Sequence, residues 1–234
     1  MRIRVFFRCI AAVIAFASLI CLSTGMGTAA QRPFIAVIDP AHGGPDTGVV
    51  SDSFKEKEFN LSLGLLIREE ARKGKGIQIV MTRTDDKQVS TAEKVKVALN
   101  AKADCFISLH ANAGFGSKAR GYEIYYPGFN SAENGKEDSR AILKDMVKNK
   151  SLNDSVLMSQ SIQAALEKVF PRKGRGLRDA PVPALAELNV PGLILEVGFA
   201  VNPEDRKILT DKNRQRALAA SIVRGIEEYA AKTR

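Results

Sequence analysis

Four short apolar runs constrain this fold more than any other feature of the chain: Phe34–Ile38, Ile77–Thr82, Cys105–Leu109 and Leu193–Val197. Each has the length of one buried strand, and between them the apolar spacing changes to a helical period. Phe59, Leu63, Leu66 and Ile67 mark one face of a helix that stops near Gly74. Ser90-Thr91-Ala92-Glu93 matches a capping box and opens a helix with Val95, Ala98 and Leu99 inward. Tyr122–Tyr126 reads as a further strand. Ser155 is expected to cap a helix that buries Met158, Ile162, Ala165, Leu166 and Val169. Asn202-Pro203-Glu204 starts a short helical turn, with asparagine as cap and proline in the first turn. The last helix buries Ala219, Ile222, Ile226 and Tyr229. Strands alternating with helices predict an α/β fold: a single domain whose largely parallel, twisted sheet is flanked by helices on both faces.

The first 30 residues stand apart from this pattern. Arg2, Arg4 and Arg8 form a positive start, Ile10–Leu22 is apolar, and Thr28-Ala29-Ala30 offers small residues for cleavage. Residues 1–30 therefore read as a secretory signal, with the mature chain starting near Gln31 and placed in the periplasm or secreted. The apolar stretch is short for a full span, so no membrane span is expected after processing. Residues 31–234 have the length of one domain. Of the net charge of +9, three units belong to the signal arginines. A moderately basic exported chain suits an anionic partner such as a cell wall. Its basic residues are scattered and few aromatics interleave with them, so no nucleic-acid role is expected. Cys9 and Cys21 fall in the signal and leave Cys105 alone, which excludes an intrachain disulfide in the mature chain. Cys105 reads as a small core residue. Phe129–Asp154 is polar and charged, with a helix-like piece around Ile142–Val147, and reads as an excursion from the domain surface.

The chain has two histidines, and each follows an apolar run. His42 lies in Asp39-Pro40-Ala41-His42-Gly43-Gly44, and His110 closes Cys105-Phe106-Ile107-Ser108-Leu109-His110. Two neutral ligands of this kind at strand ends suggest one shared metal site. A hydrolytic zinc takes three protein ligands and keeps its fourth position for water. Cys105 is a poor third ligand, because positions 105 and 110 fall on opposite faces of a regular strand. The third ligand is then a carboxylate, and Glu56, just before the first helix, is preferred on position. Glu58 is the rival, lying further into the helix, where it would favour the N-terminal dipole. Glu196 interrupts the apolar run Leu193-Ile194-Leu195. A carboxylate there is costly unless paired or working, so it is either an ion-pair partner or a general base with a raised pKa. Active sites of open α/β sheets lie beyond the carboxyl ends of the strands, where His42, His110 and Glu196 would all fall.

Taken in order, Asp39-Pro40-Ala41-His42-Gly43-Gly44, Glu56-Lys57-Glu58, Ser108-Leu109-His110-Ala111-Asn112 and Leu195-Glu196-Val197-Gly198-Phe199 resemble the four motifs of the zinc-dependent N-acetylmuramoyl-L-alanine amidases of type 3. The resemblance runs from about Ile35 to Tyr229 and takes in Thr82-Arg83-Thr84-Asp85 and Asn202-Pro203. It implies one Zn2+ per chain held by His42, Glu56 and His110, with Glu196 as catalytic base. It also implies peptidoglycan as substrate, cut at the amide between the lactyl group of N-acetylmuramic acid and L-alanine. Ala41 stands where a glycine is usual, and Lys94 where an arginine is usual. In some members an inserted helix in the region matching 129–154 covers the zinc until an activator protein displaces it. A monomer is expected. Other readings are a wall carboxypeptidase, a non-catalytic wall-binding module, and a serine or cysteine hydrolase. Motif order disfavours the first, the four candidate residues disfavour the second, and the absence of a Gly-x-Ser-x-Gly elbow disfavours the third.

Overall fold

Strand β1 (Phe34–Pro40) is the first of the apolar runs and lies inside a six-stranded sheet. It is flanked in parallel by β4 (Ile77–Met81) and β5 (Cys105–Asn112). Strand β8 (Gly192–Phe199) pairs in parallel with β5, and β6 (Glu123–Pro127) and β7 (Gly176–Ala180) complete the order β4-β1-β5-β8-β6-β7. A two-stranded ribbon, β2 (Val50–Ser51) with β3 (Phe54–Lys55), precedes helix α1 (Glu56–Ala71). The remaining helices are α2 (Thr91–Ala101), α3 (Ser139–Leu166), α4 (Pro203–Thr210) and α5 (Lys212–Thr233). This computed structural model describes residues 32–74, 76–114, 118–128, 139–170, 175–180, 185 and 188–234. The signal expected at residues 1–30 lies outside the described residues.

Strand β6 runs antiparallel to β8, and β7 is parallel to β6. The physical reason is connection length. Residues 113–122 are too few for the helical crossover that a parallel neighbour needs, so the chain turns back at the same edge of the sheet. The long α3 then carries the chain from β6 to β7.

Strand alternation sorts the side chains onto two unlike faces. Cys105, Ile107 and Leu109 of β5, with Leu193, Leu195 and Val197 of β8, enter the larger core. Met158 and Ile162 of α3 and Ile222 and Ile226 of α5 cover them, all fully buried. Each such residue contributes about 1.5–3 kcal/mol through burial. The opposite face carries Val37, Phe106 and Ile194 in a smaller cluster under Ala98 of α2 and Leu185 and Leu188. Among the described residues this second face is thinly covered, which leaves room for a site at the carboxyl ends of β1, β5 and β8.

Most local signals read from the chain reappear, but Leu99, expected inward on α2, is 59% exposed, and Ala98 is the residue of that helix that is buried. Ser90 and Glu93 form a reciprocal capping box. Asn202 accepts from the backbone N–H groups of Glu204 and Asp205. Asp205, 4% exposed, then accepts from Phe199 N and Gly121 N and ties α4 to the ends of β8 and β6. Ser155 corrects its expectation. It lies in the middle of α3, donating to Ser151 O at 2.7 Å and accepting from Gly192 N at 3.0 Å. A serine inside a helix can bond back to the preceding turn, so it need not mark a start.

Candidate metal centre and active site

The chain leaves β1 at Pro40 and turns sharply, with His42 at a φ of 66°. Histidine is among the residues that tolerate this left-handed region. The turn is held from below by Arg83, whose side chain is buried beneath it. Its Nε donates to Pro40 O at 2.7 Å, and its Nη2 donates to Ala41 O at 3.1 Å and Lys57 O at 2.8 Å. One guanidinium thus clamps the loop carrying His42 to the first turn of α1, which carries Glu56. Asp39 lies 2% exposed one step earlier and accepts from Thr82 Oγ1, Ser108 Oγ and Lys94 Nζ. Lys94 therefore makes an ion pair from the position where arginine was expected.

Glu56 opens α1 and is 2% exposed. Its Oε1 lies 3.1 Å from His42 Nε2 and 3.0 Å from His110 Nδ1, and also accepts from Ala111 N. Its Oε2 accepts from Val49 N. Glu58, the rival, has a side chain 60% exposed that pairs with Lys55. Ligand atoms of His42, Glu56 and His110 all lie within 4.8 Å of one another, so the triad could hold a metal ion. The donor set fits zinc. Tetrahedral ligands about 2.0–2.1 Å from the ion stand about 3.3 Å apart, close to the spacings seen. Three protein ligands also leave a fourth position, the pattern of catalytic rather than structural zinc. Gly48 keeps this space open: a Cβ there would lie 2.5 Å from Glu56 Oε2 and 2.7 Å from His42 Cδ2.

Charges within the triad follow from these contacts. His42 is pushed up to about 9, chiefly by its bond to Glu56, against the opposing effect of burial and with Asp46 adding to the rise. Burial pushes Glu56 up, but bonds from His110, His42, Val49 and Ala111 outweigh it and hold its carboxyl well below the usual range. Asp46 Oδ2 lies 2.8 Å from His42 Nδ1, leaving Nε2 aimed at the triad. A partner of this kind orients a ligating imidazole. Sequence reasoning missed Asp46, and no local signal separates it from other aspartates in turns.

Glu196 is paired in register with His110 on one side and Glu123 on the other. All three project from the thinly covered face. Burial raises Glu196 to about 7, opposed by the charge of His110 and reinforced by Glu56 and Glu123. Its Oε2 is buried without a hydrogen-bond partner. No arginine or lysine pairs with it among the described residues, so the ion-pair alternative for Glu196 is not what the structure contains. Cys105 is fully buried on the opposite face, and burial lifts its thiol far above neutrality, as a core role requires. Glu123 was not singled out from the sequence. The signal was present, because it is a carboxylate inside the apolar run Tyr122-Glu123-Ile124, the same anomaly that marked Glu196.

Comparison with known proteins gives the family of the chain. A family model described as N-acetylmuramoyl-L-alanine amidase matches residues 36–228. The probable cell wall amidase LytH of Staphylococcus epidermidis is 29% identical over 196 residues, covering 82% of this chain and 57% of its own length. A solved N-acetylmuramoyl-L-alanine amidase from Clostridium difficile 630 aligns with a TM-score of 0.71 at 29% identity, over 87% of this chain and 100% of that one. The CwlD amidase of Clostridioides difficile, solved in complex with the GerS lipoprotein, aligns with a TM-score of 0.63 at 28% identity, over 85% of this chain and 99% of that one. The matched region extends from β1 into α5 and holds the triad and Glu196, and by it this chain belongs to the N-acetylmuramoyl-L-alanine amidase family.

Proposed function

We propose that this chain is a zinc-dependent peptidoglycan hydrolase that cuts the amide between the lactyl group of N-acetylmuramic acid and L-alanine of the stem peptide. The observation that carries this reading is Glu196, a half-buried carboxylate with an unpartnered oxygen, beside His110 of a His-Glu-His triad. His42, Glu56 and His110 would hold the zinc, which when bound would supply Lewis acidity at the scissile carbonyl and a lowered pKa, about 7, for water. Glu196 Oε2 accepts a proton from the attacking water. The carbon–nitrogen bond then breaks, Glu196 returns that proton to the departing amine of L-alanine, and the lactyl group is released as a carboxylic acid whose remaining proton passes to the freed amine or to solvent, leaving the carboxylate. A base near 7 is matched to this two-way transfer at neutral pH.

Residues 1–30 are proposed to direct export, on the strength of Arg2, Arg4, Arg8 and the apolar stretch after them. Among the described residues, no helix is long and apolar enough to cross a membrane. Segment 129–154 is proposed to be a regulated insert displaced by an activator protein. Two observations support it: CwlD is found in complex with a lipoprotein, and α3 exposes Met146 and Val147. Leu152 is already buried, so a deletion testing the insert should stop before residue 151.

The test is a paired assay on the purified protein: elemental analysis for metal, and mass spectrometry of soluble products from digested peptidoglycan. About one zinc per chain, with stem peptides beginning at an unblocked L-alanine, is the expected outcome. Products cut within the stem peptide would favour a carboxypeptidase. No zinc and no product would favour a wall-binding module.

A further inference from the structure

Beyond Glu196, away from the triad, the sheet carries a second charged cluster that the proposed reaction does not use. Glu123 is 2% exposed, yet it holds four partners. Its Oε2 accepts from Asn112 Nδ2 at 2.9 Å and Tyr125 Oη at 3.1 Å. Its Oε1 forms ion pairs with Arg175 Nε at 3.2 Å and Arg178 Nε at 3.3 Å. One cation suffices to neutralise one carboxylate, and here there are two. Both arginines engage through Nε, and their side chains are 46% and 44% exposed. Neither guanidinium makes a further ion pair or hydrogen bond among the described residues. Arg175 also lies over the ring of Phe199, with its guanidinium carbon 5.9 Å from the ring centroid.

The location gives this excess charge a use. Residue pairing places His110, Glu196 and Glu123 in one row across neighbouring strands, with Arg178 on the next strand beside Tyr125. Strands are about 4.8 Å apart, so the arginine edge lies roughly 10–15 Å from the triad. An extended peptide covers about 3.3–3.6 Å per residue, so this is the reach of the first few residues of a peptide held at the reacting centre. Guanidinium groups with free forks recognise carboxylates through paired N–H donors.

We propose that Arg175 and Arg178, docked on the buried Glu123, form a subsite for a free carboxylate of the stem peptide, at a residue following L-alanine. The proposal rests on the amidase reading. Glu123 is the positioning residue: it fixes both guanidinium groups by their Nε edges and leaves their outer N–H groups for the ligand.

The test uses two synthetic muramyl peptides that differ only in carrying a carboxylate or a carboxamide on the residue after L-alanine. The wild-type enzyme should prefer the carboxylate by about tenfold or more in kcat/KM, the size of a charge-assisted pair. In Arg175→Gln/Arg178→Gln that ratio should fall towards unity, and each single variant should lie between. A purely structural role would lower both substrates together and leave the ratio unchanged. An unchanged ratio overturns the proposal, as does a wild-type ratio near unity, which also decides the matter if the double variant does not fold. Calorimetric binding of the two free stem peptides to the wild-type protein needs no turnover. If neither muramyl peptide is cut, the amidase reading fails, and the binding preference alone then supports or overturns the subsite.

Discussion

At the residue scale, four side chains are proposed to carry the chemistry, and their environments make opposite demands. Glu196 is kept in a site that disfavours its charge. Glu196→Gln should retain zinc and lose at least roughly a hundredfold in rate, the lower range for acid–base groups. Near-normal turnover on peptidoglycan would exclude the role. The same substitution has a signed effect on stability. The folded carboxyl sits near 7, above its ordinary value, so the folded state holds the proton more tightly than the unfolded chain. Wild-type stability from this group therefore falls as pH rises from about 4.5 to 7 and stays reduced above that. In metal-free protein, urea titration should show Glu196→Gln more stable than wild type by about 2–3 kcal/mol at pH 8, with the gap closing below pH 4.5. His42 behaves in the opposite sense. It holds its proton up to about 9 between Glu56 and Asp46, whereas zinc needs the neutral ring. Zinc binding at pH 7 should release about one proton from this residue, and affinity should climb with pH towards 9 and then level. Calorimetry in buffers of different ionisation heats measures this directly. His42→Ala and His110→Ala should each lose metal and activity together, as judged by elemental analysis.

At the scale of elements, the centre depends on three pieces meeting: the turn after β1, the first turn of α1, and the end of β5. Gly48 stands where they converge, at a φ of +60°. Gly48→Ala combines backbone strain with a methyl group pushed against Glu56 and His42. It should weaken zinc binding by about tenfold or more while leaving the circular dichroism of the fold intact. Unchanged affinity in a chelator competition would show that the loop yields freely. Helix α3 belongs to the same scale. Its C-terminal half is core, through Met158, Ile162 and Leu166, whereas residues 146–150 are exposed. Removing 132–150 should leave the fold intact and raise basal hydrolysis of peptidoglycan if the segment restrains the site. Unchanged hydrolysis would dismiss that restraint.

At the scale of the whole molecule, the two faces of the sheet divide the work: α1, α3 and α5 bury one, and the other is left thin enough to hold reactive groups. A zinc held by the proposed triad would join β1, α1 and β5 on that thin side, so its removal should lower thermal stability, by about 4 kcal/mol when the free metal had been a thousandfold above its dissociation constant. A melting temperature unmoved by chelation would mean that the triad holds no metal. Much of this was legible in the chain, because the informative signals were local anomalies: two histidines closing apolar runs, one carboxylate inside a strand, and a capping box at Ser90. The alternating runs determined the sheet, and alternation along β5 determined that Cys105 and His110 point apart. Tertiary structure decided the rest. Choosing Glu56 over Glu58 depends on which side chain is buried against β5, and burial is a property of the packed molecule. The reversal of β6 comes from a short connection, and the continuity of α3 past Ser155 comes from packing on α5. The gathering of Glu123, Arg175 and Arg178 joins residues some 50 positions apart. No sequence period records that distance, because only strand pairing and the cost of an uncompensated buried carboxylate bring the three together.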